Sequence, residues 1–395
     1  MLETWRWFGP LDDISLAEIA QTGATGIVTA LHELPYGEVW SREAIAARKA
    51  LIAAQPGLHW SVVESLPVHE DIKRGAGKLD GLFANYRQSM ANLAAEGVTT
   101  ICYNFMPLLD WTRTDLDAPL PGGGHALRFD RVRMAAFDVF MLERLGAEDD
   151  YTPDILTRAN SWIDASDADD REELLTAIMA GLPGAYARFD VAGLRDALAA
   201  WHGFTADDLR ASLSRFLSEV IPTAEELGMR MCVHPDDPPR PILGLPRIVS
   251  TEEDIARLFA MQDSCANGLT LCTGSLGAHP DNDPVRIARR FADRIHFAHL
   301  RNVAKERDGS FQEAAHLEGD TDIPAVLAAL LEEEGKRRDA GRADAEIPFR
   351  PDHGHALLQD IGRKTHPGYP LIGRMRGLAE LRGVIAGLRA GAAHV

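Results

Sequence analysis

Short apolar segments recur along the chain, and most are separated by stretches with helical periodicity. Eight of them have the length and the Val, Ile, Leu and aromatic content of buried strands. They are Thr4–Phe8, Gly26–Leu31, Leu58–Leu66, Val98–Phe105, Met229–His234, Leu269–Thr273, Ile295–Leu300 and Ile347–Asp352. The helical stretches include Leu16–Gln21, Arg42–Ala54, Leu79–Glu96, Thr251–Gln262, Val285–Phe291 and Ile323–Glu334. This alternation predicts an α/β protein with a parallel sheet, and eight such strands close a (β/α)8 TIM barrel.

One interval departs from the alternation. Residues 106–215 contain no segment typical of a strand, although a whole βα unit needs only about 30 residues. The interval opens on a glycine-rich loop and continues with acidic helical stretches, among them Phe129–Leu145 and Ala192–Leu198. We therefore predict a mostly helical insertion after the fourth strand, within a single barrel domain that spans residues 1–395. A second, smaller insertion is predicted at residues 332–346.

The composition excludes several classes of protein. Forty-one Lys and Arg against 59 Asp and Glu give a formal net charge of −18, and no basic patch is segregated along the chain. Such a chain would repel phosphate backbones and anionic lipid headgroups, so we expect no nucleic-acid or membrane partner. No segment approaches the roughly 18 consecutive apolar residues of a membrane span, and no signal-peptide pattern is present. Four cysteines without a close pair predict a reducing compartment, and we expect the cytoplasm.

Functional residues of such a barrel lie where its strands run into the βα loops. The chain has 14 histidines, and six of them fall at the ends of predicted strands. These six are His32, His234, His296, His299, His353 and His355. The concentration predicts a catalytic or metal-binding site at the carboxyl-terminal mouth of the barrel. By contrast, Cys102 and Cys232 lie two residues earlier along their strands, where side chains pack the barrel interior.

The last four predicted strands each contribute one residue with the chemistry of a metal ligand. These residues are His234, Cys272, His299 and Asp352. Adjacent strands lie about 5 Å apart, so side chains at neighbouring ends can converge on one cation. Two imidazoles, a thiolate and a carboxylate suit Mn²⁺, Fe²⁺ or Zn²⁺ and do not suit Ca²⁺. Taken singly, each residue has a plainer interpretation as a buried Cys, a core histidine or a capping Asp, but all four at equivalent positions favour a metal site.

Other polar residues at the same ends are candidates for substrate chemistry. Arg301 has the fork geometry that captures a carboxylate, although a surface ion pair is the equal alternative. His353 follows Asp352 on the opposite side of the backbone, which suits a general acid or base beside a metal. Tyr369, on a loop after the eighth strand, either reaches the same mouth or packs as an ordinary aromatic ring. The remaining substrate-binding candidates are Asn302, His32, Asn104 and Arg6.

Several strings of the chain are specific enough to compare with known families. They are WRWFGP at residues 5–10, GATGIVTALH at 23–32, HPDDPP at 234–239, LCTGS at 271–275, HFAHLRN at 296–302 and RPDHG at 350–354. In these strings, and nearly from end to end, the chain resembles the mannonate dehydratase family. The resemblance implies a (β/α)8 barrel of the xylose-isomerase-like type.

The resemblance also implies an activity and a site. The activity is that of a hydro-lyase, which removes water from D-mannonate to give 2-keto-3-deoxy-D-gluconate in hexuronate (glucuronate) catabolism. The implied cofactor is one divalent cation, Mn²⁺ or Fe²⁺, on a His, a Cys, a second His and an Asp that match His234, Cys272, His299 and Asp352. The acid/base pair of the family matches His353 and Tyr369, with Tyr369 assigned to the proton at C2 and His353 to the hydroxyl at C3; the reversed assignment stays open. A homodimer is implied as well.

Two positions depart from the family pattern. The family commonly carries two histidines and an Asn-Gly turn after the second strand, where this chain has HELPYG at residues 32–37, and Pro370 directly follows Tyr369. Both departures lie near the predicted mouth, so they bear on substrate preference or rate more than on the type of reaction. Two other functions stay open at this point: a metal-dependent sugar isomerase or epimerase on the same barrel, and a non-catalytic sugar-acid binding protein or metal sensor. The presence of both His353 and Tyr369 counts against the second.

Overall fold

The computed structural model describes residues 1–180 and 189–392, and this part of the chain forms twelve β-strands. They are β1 (Leu2–Arg6), β2 (Gly26–Thr29), β3 (His59–Glu64), β4 (Thr100–Tyr103), β5 (Asp115–Pro119), β6 (His125–Phe129), β7 (Arg230–Val233), β8 (Asn267–Cys272), β9 (Ile295–His299), β10 (Asn302–Lys305), β11 (Phe311–Ala314) and β12 (Pro348–Arg350). Eight of these strands form a closed parallel barrel in the order β1-β12-β9-β8-β7-β4-β3-β2. Every barrel strand overlaps the segment predicted for it, so the predicted (β/α)8 fold is confirmed.

The described residues also form fourteen α-helices, several of which follow directly from local sequence signals. They are α1 (Leu16–Gln21), α2 (Arg42–Ala53), α3 (Glu70–Arg74), α4 (Leu79–Ala95), α5 (Arg131–Ala135), α6 (Pro153–Ala165), α7 (Ala168–Ile178), α8 (Val191–Ala199), α9 (Ala206–Glu226), α10 (Glu252–Met261), α11 (Thr273–Gly277), α12 (Pro284–Arg290), α13 (Ile323–Asp339) and α14 (Leu371–Ala392). Ser15, Thr205 and Thr251 start α1, α9 and α10 with capping boxes, in which an acidic residue three positions on bonds back to the cap. Among these helices, none has both the length and the apolar character required to cross a bilayer.

The prediction that residues 106–215 lack strands is wrong. β5 and β6 form an antiparallel hairpin whose turn is the glycine-rich loop, and β6 pairs with β11 of a second hairpin, β10–β11. Together they make a four-stranded antiparallel sheet in the order β10-β11-β6-β5. The strand signal of β5 is weak because its sequence, DLDAP, carries two aspartates and a proline, which is tolerated at a sheet edge. The second predicted insertion is also partly wrong, since α13 continues to Asp339.

Five fully buried side chains fill the interior of the barrel. They are Val28, Val62, Cys102, Cys232 and Phe297. The Sγ atom of Cys232 lies 3.4 Å from the carbonyl oxygen of Ile101 on the neighbouring strand. The prediction that Cys102 and Cys232 belong to the core is therefore confirmed.

A buried arginine joins α13 to the amino-terminal end of the barrel. Arg337 is 1% exposed, and its guanidinium donates to the carbonyl oxygens of Ala292 and Ile295 at 2.8 and 2.9 Å. It also pairs with Glu333 one turn earlier at 2.9 Å. Because Ile295 begins β9, these bonds fix the helix against the start of a barrel strand.

Replacing Arg337 with Met is expected to lower the free energy of unfolding by about 2–4 kcal/mol, because it leaves buried carbonyl oxygens and the Glu333 carboxylate without their donor. Urea unfolding followed by circular dichroism measures this loss. Arg338→Met is the matched control, since the Arg338 side chain is 56% exposed and its removal should cost under about 1 kcal/mol. Equal stability of the two variants would contradict the role given to Arg337.

Candidate metal centre and active site

A small cavity lies at the carboxyl-terminal ends of the barrel strands. Its wall consists of Glu64, Asn104, Met106, Asp110, Trp111, His234, Asp237, Arg301, Arg350, Asp352, His353 and Tyr369. Six of the eleven site residues predicted from the sequence belong to this wall: Asn104, His234, Arg301, Asp352, His353 and Tyr369. Two more, Cys272 and His299, are fully buried against it. The cavity therefore brings together most of the predicted site.

Three of the four predicted metal ligands converge at one point. One ligand atom from each of His234, Cys272 and His299 lies within 4.8 Å of the other two. His234 follows the end of β7, while Cys272 and His299 are the last residues of β8 and β9, which pair with Cys272 opposite His299. The backbone N–H of Ser275 donates to the Cys272 Sγ at 3.4 Å. The convergence is thus set by the register of three adjacent parallel strands.

The hydrogen bonds around the two histidines fit a cation between them. His234 Nδ1 lies 2.7 Å from the carbonyl oxygen of Pro235, so it carries the ring proton and leaves Nε2 with a lone pair. This Nε2 faces His299 Nδ1 at 3.1 Å, while His299 Nε2 lies 3.4 Å from the Glu64 carboxylate. Burial alone would raise the pKa of Glu64, but the charges of Arg350 and His299 hold that pKa well below its usual range. The two facing nitrogens need either a shared proton or a cation between them, and an ionised carboxylate behind an imidazole is a common support for a metal ligand.

Asp352, the fourth predicted ligand, lies beside this trio. Its Oδ2 atom is 3.8 Å from Cys272 Sγ and 3.9 Å from His299 Nδ1. The residue has a φ of +60°, a left-handed conformation that non-glycine residues rarely adopt and that the surrounding contacts must maintain. Arg350 and Arg301 both pair with its carboxylate. Burial opposes ionisation, yet these charges hold the pKa of Asp352 well below its usual range, so it is available as an anionic ligand.

The predicted acid/base pair occupies one side of the cavity. The rings of His353 and Tyr369 meet edge to face, with centroids 5.0 Å apart. The Tyr369 hydroxyl donates to Asp352 Oδ1 at 3.3 Å and lies 3.5 Å from Arg350 Nη1. Burial raises the pKa of Tyr369 above its usual range, the charge of Arg350 opposes that rise, and Asp352 adds to it. Both groups are therefore beside the candidate metal ligands, and Tyr369 is a buried residue of the cavity wall.

The predicted substrate-binding residues separate into two groups. Asn104 and Arg301 line the cavity, but the Asn104 amide already donates to Asp110 at 3.0 Å, and the Arg301 guanidinium already pairs with Asp237 at 2.9 Å. The ion pairs of Arg301 are buried, which differs from both the carboxylate capture and the surface pair considered from the sequence. Arg301 therefore meets carboxylates of its own chain at the positions where a substrate carboxylate was expected.

The other three candidates, Arg6, His32 and Asn302, form hydrogen bonds to other groups of the protein. Arg6 Nη2 lies 3.1 Å from His32 Nε2, and Arg6 also donates to the carbonyl oxygen of Glu64. Asn302 begins β10, and its amide donates to the carbonyl oxygens of His316 and Thr321 at 3.0 and 2.9 Å. In the described part of the chain, the structure places none of these three side chains on the cavity wall.

Sequence reasoning missed several charged residues that shape the site. Three of them lie at the ends of predicted strands: Glu64, Asp237 and Arg350. The sequence therefore predicts where they lie along the barrel but does not predict their ion-pair partners. Glu313 on β11 was missed altogether, although it is 3% exposed and lies 3.0 Å from His353 Nδ1. Residues two positions apart in a strand point to the same side, so Glu313 is predicted to be buried with Phe311 only when β11 is known to be a strand.

Comparisons with known proteins identify the family of the chain. A family described as D-mannonate dehydratase (UxuA) matches residues 1–394 of the chain. A protein named mannonate dehydratase from Chromohalobacter salexigens is 56% identical over 97% of this chain and 98% of its own, and one of the same name from a Marinomonas species is 52% identical over 98% and 99%. The crystal structure of mannonate dehydratase from Streptococcus suis serotype 2 superposes with a TM-score of 0.77 at 34% identity, covering all of this chain and 95% of that one.

Proposed function

The chain belongs to the mannonate dehydratase family, and from this premise we propose that the cavity removes water from D-mannonate to give 2-keto-3-deoxy-D-gluconate. The enzyme is accordingly a hydro-lyase with a sugar-acid substrate. The observation that carries the mechanism is the placement of His353 and Tyr369 beside the trio His234, Cys272 and His299. Such an arrangement suits a dehydratase, because a bound cation would activate the carbon next to the carboxylate while two side chains move protons.

Within this proposal, His234, Cys272 and His299 hold one divalent cation, with Asp352 as the fourth ligand. The donor set suits Mn²⁺, Fe²⁺ or Zn²⁺, and the family resemblance favours Mn²⁺ or Fe²⁺. When bound, the cation supplies a Lewis acid that draws negative charge from the carboxylate end of the substrate and lowers the pKa of nearby groups. The residues of the chain then need only to position the substrate and to move protons.

The two proton transfers are assigned to Tyr369 and His353. Tyr369 takes the proton from C2 as a phenolate, after its hydroxyl proton, which faces Asp352 in the free protein, has passed to solvent. A bound cation would favour this ionisation. The electron pair of the C2–H bond forms the C2=C3 double bond, the C3–O bond breaks, and His353 delivers a proton to the departing oxygen, which leaves as water. The resulting enol becomes the 2-keto acid when its C2 hydroxyl loses a proton and C3 takes one up. All atoms of the substrate are then found in the keto acid and one water molecule.

The charges of the cavity wall bear on how an anionic substrate binds. Arg350 pairs with Glu64 and Asp352, and Arg301 pairs with Asp237 and Asp352. Because both guanidinium groups are neutralised by the protein, they contribute little net attraction for a carboxylate. In a chain with a net charge of −18, we therefore assign the attraction of the substrate mainly to the cation site.

Purified protein with Mn²⁺ or Fe²⁺ is expected to convert D-mannonate to a 2-keto-3-deoxy acid, which the thiobarbiturate reaction detects. D-Gluconate, the C2 epimer, serves as the parallel substrate and should react far more slowly. EDTA should abolish product formation, and added Mn²⁺ should restore it. Interconversion of sugars without any 2-keto-3-deoxy acid would instead indicate an isomerase or epimerase, and no turnover with any metal would indicate a binding protein. The homodimer and the cytoplasmic location stay predictions, which light scattering and cell fractionation check.

A further inference from the structure

His353 has a buried carboxylate behind it. Its Nδ1 atom lies 3.0 Å from Glu313 Oε1, and the two residues are 4% and 3% exposed. A carboxylate accepts hydrogen bonds and does not donate them, so this contact requires the ring proton on Nδ1. The other ring nitrogen, Nε2, is then the one that serves the cavity that His353 lines.

The charge of Glu313 is maintained by its surroundings. Arg113 Nη2 donates to Glu313 Oε1 at 2.9 Å, and Arg301 Nε lies 3.3 Å from Oε2. Asp237 in turn pairs with both arginines, so the buried charges are balanced. Burial alone would raise the pKa of Glu313, but Arg301 and His353 bring it down to about 2, so the carboxylate is ionised.

We infer that Glu313 is a positioning residue for the dehydration: it orients the His353 ring and keeps the proton on Nδ1, so that Nε2 exchanges the proton with the substrate. Arg301 Nη1 also lies 3.1 Å from His353 Nδ1, but an N–H cannot donate to a nitrogen that already carries a proton. Asp352 Oδ2, at 3.4 Å, is the acceptor that remains for that Nη1. The pairing of a carboxylate with an imidazole is a recurrent way to fix the tautomer of a catalytic histidine.

The four-stranded sheet is what brings Glu313 to His353. Glu313 lies on β11, which is flanked by β10 on one side, with Val303 opposite Glu313, and by β6 of the insertion on the other. A strand paired on both sides holds its side chains more firmly than a loop does. The inference therefore gives part of the insertion after β4 a function, because β6 completes the sheet that carries the carboxylate.

The inference rests on the role proposed for His353, and the experiment separates the two. In metal-loaded enzyme, Glu313→Gln is expected to lower kcat for D-mannonate by about 100-fold, with KM within about 2-fold and metal content unchanged. Glu306→Gln is the matched control on the same hairpin, because Glu306 forms only a half-exposed ion pair with Arg128, and its kcat should be near that of the wild type. If the Gln variant does not fold, the double variant Arg113→Met/Glu313→Met removes both charges of the buried pair together and should show the same loss.

A double-mutant cycle distinguishes positioning from a general structural role. If Glu313 acts through His353, the variant Glu313→Gln/His353→Asn should be no slower than His353→Asn alone. Losses that multiply in the double variant would overturn the inference, as would a Glu313→Gln enzyme with wild-type kcat beside an inactive His353→Asn enzyme. Wild-type activity of His353→Asn would overturn the proposed role of His353 itself, and the inference with it.

Discussion

Replacing His353 with Asn is expected to abolish dehydration while the metal stays bound. The ring of His353 is the proton donor proposed for the departing C3 oxygen, and an amide cannot replace it. A general acid of this kind contributes a factor of about 10²–10⁴, so kcat should fall by at least about 1000-fold when the support of Glu313 is lost with it. His353 is not among the atoms that converge at the candidate metal centre, so the metal content should stay at one ion per chain.

The measurement pairs thiobarbiturate turnover with metal analysis by mass spectrometry. His355→Asn is the matched control, because His355 lies two residues further along the chain, 3.1 Å from the backbone carbonyl of Glu313 and away from the cavity wall. Its turnover should remain within about 3-fold of the wild type. An active His353→Asn enzyme, or one that has lost its metal, would remove His353 from the assigned role.

Replacing Cys272 with Ala is expected to release the metal and, with it, the activity. The thiol is fully buried within 4.8 Å of the ligand atoms of His234 and His299, so no water molecule from bulk solvent readily replaces it. Changes in residues that only support ligands already weaken metal binding by about 10–100-fold, and removal of a ligand should exceed that range. Metal content after gel filtration should drop below about one tenth of the wild-type value, and turnover should drop at least as far.

Cys232→Ala provides the matched control for this variant. Cys232 is equally buried, but it packs in the barrel interior with Val28, Val62, Cys102 and Phe297. Its replacement should lower the free energy of unfolding by about 1–2 kcal/mol and should leave the metal and the turnover unchanged. If both cysteine variants retained their metal and activity, the metal centre would have to lie elsewhere.

The barrel and the convergence of the candidate metal trio are predictable from the sequence because both follow from one repeated rule. Parallel strands joined by helices end on the same side, so residues at equivalent strand ends must approach each other. His234, Cys272 and His299 satisfy that rule at three neighbouring ends, and the structure brings their ligand atoms together. The roles of Asp352, His353 and Tyr369 depend on the family resemblance as well, and their testing awaits the experiments above.

The remaining features of the site depend on pairings that no local pattern contains. Asn302 lies three residues after the end of β9, where a substrate-binding residue is expected, yet it begins β10. Its amide donates to the backbone of the segment that follows β11. The sequence likewise predicts a guanidinium at Arg301 that is available to a substrate, whereas the structure shows that it pairs with Asp237 and Glu313. The short, polar strands β5, β10 and β11 gain their stability from each other, so the sequence of any one of them is a weak signal.

The buried ion pairs in and behind the cavity wall join parts of the chain that are far apart in sequence. Arg113 and Glu313 are separated by 200 positions, and Glu64 and Arg350 by 286. Contacts over such separations are slow to form during folding, because the chain loses the entropy of closing a long loop before the contact contributes any stability. A growing chain therefore lacks the complete site until Tyr369, on the loop after β12, has been synthesised. The full set of cavity residues is thus available only after more than nine tenths of the 395-residue chain has been made.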